Sequence, residues 1–152
     1  MSDECCDRTS DPGGGSCPTC RTKGLPVRWT TVAALTLGPV PPRGEFSLCL
    51  DTDCDVVYFG GFESPLLVEE VRVLPRFKRG SEGFVCYCFL HTRESVVAET
   101  RALGNSPTLE SIRNNVKNKG CACEVRNPTG KCCLREIQQI IEAEASRQGV
   151  AP

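Results

Sequence analysis

Closely spaced cysteines constrain this chain more than any other feature of its sequence. The first group has a C-x2-C pair and a C-x4-C pair, formed by Cys17, Cys20, Cys49 and Cys54. The second group has two C-x-C pairs and one adjacent pair, formed by Cys86, Cys88, Cys121, Cys123, Cys132 and Cys133. This layout fits two four-thiolate sites, one in each half of the chain, better than a disulfide framework.

The rest of the sequence favours metal binding over disulfide bonds. Residues 1–10 contain acidic and polar groups where a secretory signal would need an apolar core. No apolar run approaches the roughly 18–20 residues of a membrane span. Clustered cysteines in a reducing compartment usually bind metal, so we expect a cytoplasmic protein that does not insert into a membrane.

Charge and motif content exclude several classes of function. The net charge of −1 does not fit a strongly basic nucleic-acid binder, so nucleic acid is not an expected partner. The sequence contains no phosphate loop, no serine–histidine–acid pattern in a supporting context and no recognisable pair of carboxylates. We therefore predict a protein without an enzyme active site.

The chain divides into four segments by composition and pattern. Residues 1–16 are predicted to be a disordered leader, because acidic residues and a Pro-Gly-Gly-Gly run dilute them. The other segments are a β-rich zinc-binding subdomain at 17–75, a hinge at 76–84 and a short helical subdomain at 85–148. The predicted fold class is therefore α+β. Cys5 and Cys6 in the leader could bind a soft ion, although a solvated pair without a role is favoured.

Short apolar runs predict a small sheet in the first half. Strands are expected at 29–37, 46–50, 56–59 and 66–74. Proline and glycine residues end several of these runs. The basic residues Arg76, Lys78 and Arg79 then mark a solvated hinge or, as a less favoured alternative, a docking patch for an acidic partner.

The second half switches to a helical period. Thr92 can cap a helix that ends near Gly104. A Ser-Pro pair starts a second helix at 107, and a third begins around Cys132 or Cys133. The cysteines of the second group therefore lie in turns at the ends of a short three-helix unit.

The spacing of the first group is typical of a structural zinc site. The two residues within C-x2-C let the chain fold back as a knuckle that aims both thiolates at one point. A second knuckle, C-L-D-T-D-C, supplies two more ligands. Four thiolates at about 2.3 Å suit tetrahedral zinc and leave no open position, although four thiolates can also hold a single iron.

The second group predicts a different centre. Its C-x-C pair is too tight for an ordinary zinc knuckle, and two helices separate this pair from the next cysteines. Thiolates from two such loops are the ligand set of an iron–sulfur cluster, and nearby amide donors stabilise its charge. The chain lacks the spacing of a plant-type ferredoxin and the two histidines of a Rieske centre. An all-thiolate 2Fe-2S cluster is therefore expected, with a second zinc as the alternative.

Several motifs together resemble a known family. V-C-Y-C-F at 85–89 and G-C-A-C-E-V-R-N-P-T-G-K-C-C-L at 120–134 resemble the helical 2Fe-2S module of bacterioferritin-associated ferredoxin. The N-P-T-G-K-C-C form is more similar still to the amino-terminal half of CopZ-type copper chaperones. That half also carries C-P-x-C and C-x4-C-x-V-V-Y-F, which are found here at 17–20 and 49–59. The resemblance extends from residue 17 to about residue 141.

The resemblance implies zinc in the first subdomain and a 2Fe-2S cluster in the second. Its cluster ligands here are Cys86, Cys88, Cys123 and Cys133. Cys123 has the matching spacing to N-P-T-G, which leaves Cys121 as an additional cysteine. Between the adjacent Cys132 and Cys133 the pattern leans to Cys133, and the choice stays open.

One departure limits what the resemblance implies. The copper chaperones continue into a copper-binding domain that bears an M-x-C-x-x-C loop, and this sequence contains no such loop. The residue two positions before Cys17 is Gly15 rather than methionine. The resemblance therefore does not extend to the usual route of copper delivery.

Three functional hypotheses follow. The first is electron transfer linked to the handling of copper or another soft heavy metal, with a redox or metal-transport protein as partner. The second is a regulatory module in which loss or oxidation of the cluster switches contact with a protein or DNA partner. The third is a purely structural protein with two zinc ions.

Overall fold

The structure, a computed structural model, describes residues 15–42 and 44–149. The predicted leader, apart from its last two residues, and the Cys5-Cys6 pair lie outside the described residues. The described chain has a β-sheet followed by helices, which confirms the mixed α and β composition expected from the sequence. None of the described helices is long and apolar enough to cross a membrane.

Four short antiparallel strands form one sheet in the order β1-β2-β3-β4. They span Leu25–Val27 (β1), Phe46–Leu48 (β2), Val56–Gly60 (β3) and Leu66–Leu67 (β4). Leu48 of β2 lies opposite Leu25 of β1 and Tyr58 of β3. One buried core cluster of this half comprises Val27, Val32, Phe46, Leu48, Val57, Tyr58, Leu66 and Val71. The strands predicted at 46–50 and 56–59 are therefore confirmed, with small shifts of their ends.

The prediction of a strand at 29–37 is wrong, because this segment forms the helix α1, Trp29–Leu35. Val32 and Leu35 are buried and lie three residues apart, so they share one face of the helix. Val32 packs into the core of the sheet. Threonine and valine prefer strands only weakly, and burial of this helical face outweighs that preference.

The strand predicted at 66–74 is also wrong beyond its first two residues. After β4 the chain forms a 3₁₀-helix, Val68–Glu70. The Glu70 carboxylate accepts a hydrogen bond from the Leu67 amide at 2.8 Å and holds this turn. The alternation of valine and charged residues predicted a strand, but the side chain of Glu70 satisfies an amide that a continuing strand would have paired.

The second half contains the helices α2 (Arg93–Leu103), α3 (Pro107–Lys117), α4 (Cys123–Arg126) and α5 (Leu134–Arg147). The three longer helices confirm the prediction. Thr92 caps α2, because its hydroxyl oxygen accepts a hydrogen bond from the Ser95 amide at 3.2 Å. Gly104 ends this helix in the left-handed conformation, with φ of 75°.

Two elements of the second half were not predicted. A hairpin joins β5 (Phe84–Cys86) to β6 (His91–Thr92), and the short helix α4 begins at a cysteine. Elements of two to four residues are too short to show a period in the sequence. The buried core of this half comprises Val85, Cys86, Cys88, Val96, Ile112, Cys123, Cys133 and Ile137.

The sheet unit (β1–β4 and α1) contacts the helical unit (β5, β6 and α2–α5) through α1 and α4. The hydroxyl of Tyr58, which is fully buried, donates a hydrogen bond to the Pro128 carbonyl oxygen at 2.7 Å. Thr31 of α1 lies so close to Gly130 that a Cβ atom there would lie 2.5 Å from Thr31 Oγ1. The loop between α4 and α5 therefore rests against the sheet unit.

The segment predicted as a solvated hinge is anchored to both units. Arg76 pairs with Glu136 of α5, and Arg79 pairs with Asp53. Lys78 is only 3% exposed. The expectation of a solvated segment is therefore wrong at Lys78, because the side chain finds buried hydrogen-bond acceptors that the sequence does not reveal.

Candidate metal centres

The structure brings the first cysteine group together in one place. The sulfur atoms of Cys17, Cys20, Cys49 and Cys54 all lie within 4.8 Å of one another. The Sγ–Sγ distance is 4.0 Å between Cys17 and Cys54 and 3.6 Å between Cys20 and Cys49. Ligands at 2.3 Å from a tetrahedral zinc are about 3.8 Å apart. The four thiols therefore have the spacing of a closed tetrahedral site.

Local hydrogen bonds shape the first knuckle. The Arg21 amide donates to the Cys17 carbonyl oxygen at 2.9 Å, and the Cys17 amide donates to the Thr22 carbonyl oxygen at 2.9 Å. Arg21 has a φ of 68°, which turns the chain sharply after Cys20. These bonds close the turn that aims the first two thiols at one point.

Asp51 shapes the second knuckle. Its Oδ1 atom accepts hydrogen bonds from the Asp53 amide at 2.8 Å and from the Cys54 amide at 3.0 Å. The Cys49 amide donates to the Val57 carbonyl oxygen at 2.8 Å. This turn around an aspartate side chain fixes the direction of both thiols without help from a metal.

The four thiols differ in their acidity. Hydrogen bonds from Thr22 lower the pKa of Cys20 to about 6. Burial raises the pKa of Cys49 to about 12 and also raises the pKa of Cys54. At neutral pH without a metal, Cys20 is a thiolate while Cys49 and Cys54 keep their protons. A bound Zn²⁺ would replace those protons and compensate the buried negative charge.

A buried cation lies beside this site. The Lys78 ammonium donates to the Asp51 carbonyl oxygen at 2.6 Å and to the Cys54 carbonyl oxygen at 2.9 Å. Its charge lowers the pKa of Cys49, in opposition to the larger effect of burial. Lys78 therefore connects the segment after the sheet unit to the middle and the end of the second knuckle.

The second cysteine group forms contacts between two loops. Cys88 and Cys123 have their sulfur atoms 3.6 Å apart. Cys86 shares a hydrogen bond with Cys133, which also contacts Cys123 and Cys132. The four residues predicted as cluster ligands are buried, whereas Cys121 and Cys132 are partly exposed. The structure thus brings the thiols of the predicted ligands together, and Cys132 also interacts with Cys123 and Cys133.

Backbone amides surround the sulfur atoms of this second group. The Ala122 amide donates to the Cys88 sulfur at 3.2 Å. The pKa of Cys86 is lowered to about 7 by its hydrogen bond with Cys133 and, to a smaller extent, by the amides of Phe89 and Cys88. Such donors stabilise a thiolate or a cluster sulfur more than a neutral thiol.

The loop that carries Cys132 and Cys133 is held by one asparagine. The Asn127 amide group donates to the Lys131 carbonyl oxygen at 3.0 Å, and its Oδ1 accepts from the Thr129 amide at 3.0 Å. Gly130 has a φ of 70°, a conformation that glycine adopts without strain. The N-P-T-G motif thus encodes a rigid turn that fixes the approach of the last cysteines.

Sequence reasoning missed three residues that shape these sites. Asp51 begins an aspartate turn and Asn127 precedes a proline, and both are recognisable turn signals. Lys78 has no such signal, because its acceptors lie 24 and 27 residues earlier in the chain. Only the folded structure places this lysine beside the first site.

The comparisons with known proteins agree with the geometry of the first site. Residues 14–72 match the family model zf_CopZ, which is described as a zinc binding domain. All four cysteines of the first group lie inside this range. This part of the chain therefore resembles the zinc binding domain that the family model describes.

The similarity to CopZ proteins extends beyond the zinc-binding domain. The chain is 30% identical over 127 residues to the copper chaperone CopZ of Archaeoglobus fulgidus, and the alignment covers 82% of this chain. The chain spans 60% of the length of that relative. The X-ray structure of the Archaeoglobus fulgidus CopZ N-terminal domain matches 90% of this chain and 99% of its own, with 26% identity and a TM-score of 0.58. The helical unit therefore shares in this likeness.

Proposed function

We propose that this protein binds one zinc ion and one 2Fe-2S cluster and transfers electrons in the handling of copper or another soft metal ion. The observation that carries the proposal is the presence of two separate groups of buried cysteines, one in each unit. The zinc-binding domain supplies a fixed scaffold, and the helical unit supplies the redox centre.

The first site fits a structural role for zinc. Its four sulfur atoms lie within 4.8 Å of one another, so a tetrahedral ion would have no open position for a substrate. The proposed ligands are Cys17, Cys20, Cys49 and Cys54. A closed site of this kind stabilises a small fold and performs no chemistry of its own.

The arrangement of the second site supports a 2Fe-2S cluster with two thiolates on each iron. Cys88 contacts Cys123, and Cys86 contacts Cys133, so thiols from two loops meet at this site. We propose Cys133 rather than Cys132 as the fourth ligand, because Cys133 is buried and shares a hydrogen bond with Cys86. A bound cluster would supply one-electron transfer at a potential set by burial and by hydrogen bonds to its sulfur atoms. We propose this unit as a BFD-like module on the same grounds.

Exposed apolar residues near the second site provide a contact surface for a partner protein. Leu90 and Val125 each lie two residues beyond a proposed cluster ligand, and both are exposed. A redox or metal-transport protein that contacts them would approach the cluster closely. The name of the relative, a copper chaperone, supports copper as the metal served, and reduced cysteines support a cytoplasmic setting. We propose an electron-transfer and metal-binding protein rather than an enzyme.

The regulatory alternative loses the sequence feature that supported it. That hypothesis depended on a basic surface formed by Arg76, Lys78 and Arg79. In the structure Lys78 is buried, and the two arginines pair with Glu136 and Asp53. A DNA contact through this segment would have to break these pairs, which disfavours DNA as the partner, while a protein partner remains the alternative proposal.

Metal analysis of anaerobically purified protein tests the proposal. We expect a red-brown protein with about two iron, two sulfide and one zinc per chain. The Cys86→Ser and Cys133→Ser variants should lose iron and colour while they keep zinc, and the matched Cys121→Ser control should keep all metals. A colourless wild-type protein that binds zinc at both sites, even after attempted cluster reconstitution, would refute the redox function.

A further inference from the structure

A buried lysine contributes to the first site from outside the matched zinc-binding domain. Lys78 lies beyond residues 14–72 and belongs to the segment that joins the two units. Its side chain is 3% exposed, and its ammonium group bonds the Asp51 and Cys54 carbonyl oxygens at 2.6 and 2.9 Å. These carbonyls belong to the third and the last residue of the second knuckle. One cation therefore ties the middle of this loop to its end, where the Cys54 thiol lies.

The burial of this lysine requires an electrostatic reason. A buried ammonium is costly unless nearby groups compensate its charge. The Lys78 ammonium donates to two carbonyl oxygens, while Asp51 uses its carboxylate in the turn and Asp53 pairs with Arg79. Four thiolates around one Zn²⁺ carry a net charge of about −2. The zinc-loaded site is therefore the anion that matches this cation.

We propose that Lys78 is a positioning residue and the internal counter-charge of the zinc site. The inference rests on the proposed zinc occupancy and adds to it a determinant of how tightly the ion is held. The Lys78 ammonium lies within hydrogen-bond distance of the carbonyl oxygen of the proposed ligand Cys54, so its charge is close to the thiolates that a bound zinc ion would hold. Zinc and Lys78 therefore stabilise each other, and the charge of Lys78 favours the more negative state of whichever metal occupies the thiolates.

Zinc retention by the full-length chain gives the first test. We compare wild type with Lys78→Met, Lys78→Gln and Lys78→Arg. The control is Arg79→Met, at an exposed cation that pairs with Asp53 of the same knuckle. Competition with a chelator should show a zinc dissociation constant about ten- to a hundredfold higher for K78M and K78Q, because a charged hydrogen-bonding group is lost. K78R should stay near wild type, and R79M should change the constant less than about fivefold, as expected for an exposed ion pair.

The reduction potential of iron in the first site distinguishes an electrostatic role of Lys78 from a purely structural one. For this measurement, iron is substituted for zinc in the four-thiolate site. The EPR signal of its high-spin ferric form is followed separately from that of a reduced 2Fe-2S cluster. Removal of the lysine charge should shift the ferric/ferrous potential to more negative values in K78M and K78Q. K78R should restore the wild-type potential. A purely structural role would leave the potential of every folded variant unchanged.

The outcomes distinguish this inference from the proposed function. If wild type takes up no zinc, the zinc site itself is refuted. If wild type holds about one zinc and K78M holds it equally tightly at an unchanged iron potential, only the role of Lys78 is refuted. If K78Q behaves as wild type in both measurements, its hydrogen bonds suffice and the counter-charge is refuted. Should K78M not fold, K78Q and K78R still decide between these results.

Discussion

The two cysteine groups differ in how much each depends on the other unit. The first group is assembled almost entirely within the sheet unit, where hydrogen bonds to Thr22 and Asp51 shape both knuckles. The second group depends on a loop that rests against the sheet unit through Tyr58 and Thr31. The first site can therefore form without the cysteines of the helical unit, whereas a change that disrupts the sheet unit also disturbs the second site.

Loss of one ligand from each group should reveal this one-way dependence. Cys49→Ser should lose zinc, because it removes one of the four proposed ligands. A structural zinc contributes about 10–16 kcal/mol in small zinc-binding peptides, as much as the stability of a typical domain, so its loss should destabilise the sheet unit. The same variant should also lose much of its iron. Cys123→Ser should lose iron and keep zinc. Metal analysis of both variants checks the expectation, and zinc loss from Cys123→Ser would show that the dependence runs in both directions.

Acidification should weaken zinc binding at the first site steeply. The pKa of Cys49 is raised to about 12 and that of Cys54 lies above its ordinary 9.0, so both thiols must release a proton when zinc binds. Cys20, with a pKa of about 6, is already ionised at pH 7. The zinc dissociation constant should therefore rise at least about a hundredfold for each unit that the pH falls from 8 to 7.

Below pH 6 the zinc dependence should become steeper, because Cys20 then also carries a proton that zinc must displace. Chelator competition at several pH values measures both slopes. A tenfold or smaller change per unit between pH 8 and pH 7 would show that Cys49 or Cys54 is ionised before the metal arrives.

Gly130→Ala should damage the contact between the units. The substitution forces a side chain into a φ of 70° and places its Cβ atom 2.5 Å from Thr31 Oγ1. We expect a loss of stability of about 2–4 kcal/mol, since strained backbone and overpacking each cost about 1–3 kcal/mol. Gly104→Ala is the matched control, because Gly104 has a φ of 75° but open space at its Cβ position.

Thr31→Ala provides a second way to test that contact. Thr31 Oγ1 is buried and has no hydrogen-bond partner among the described residues. Its removal should therefore cost little alone and should recover part of the stability lost in Gly130→Ala. Denaturant unfolding of the single and double variants measures the coupling energy. An additive double variant would show that these two residues do not touch in solution.

Tyr58→Phe should have a smaller effect than Gly130→Ala. It removes the hydrogen bond to Pro128 and leaves a buried carbonyl without this donor, at a cost of about 1–3 kcal/mol. The zinc content should stay unchanged while the iron is lost faster to a chelator, because only the second loop loses support. Equal rates of iron loss in Tyr58→Phe and wild type would contradict the role of this bond.

The sequence predicted the local parts of this architecture and missed the parts that depend on distant contacts. The cap at Thr92 and the glycine at 104 lie next to the helix ends that they define, so the limits of α2 could be read directly. The helix α1 was predicted as a strand because its threonines and valine favour strands, and only its packing decides otherwise. The amino-acid sequence alone does not reveal how this helix packs against the sheet.

The candidate sites show the same division. The knuckle spacing predicted that four cysteines meet in the sheet unit, and the four sulfur atoms do lie together. The choice between Cys132 and Cys133 depends on a burial difference that adjacent residues do not show in sequence. Lys78 was predicted to lie in a solvated segment because charged and glycine residues surround it in the sequence, and its acceptors lie far away along the chain.

The bond from Tyr58 to Pro128 also bears on how the protein is made. A ribosome releases the sheet unit well before the loop that carries Cys132 and Cys133 emerges, and early segments generally fold first. The surface formed by Tyr58 and Thr31 is therefore complete when the last two cysteines arrive. The folded amino-terminal part of the nascent chain thus provides the surface on which the late loop closes, so the proposed second metal centre would be filled after this part has folded.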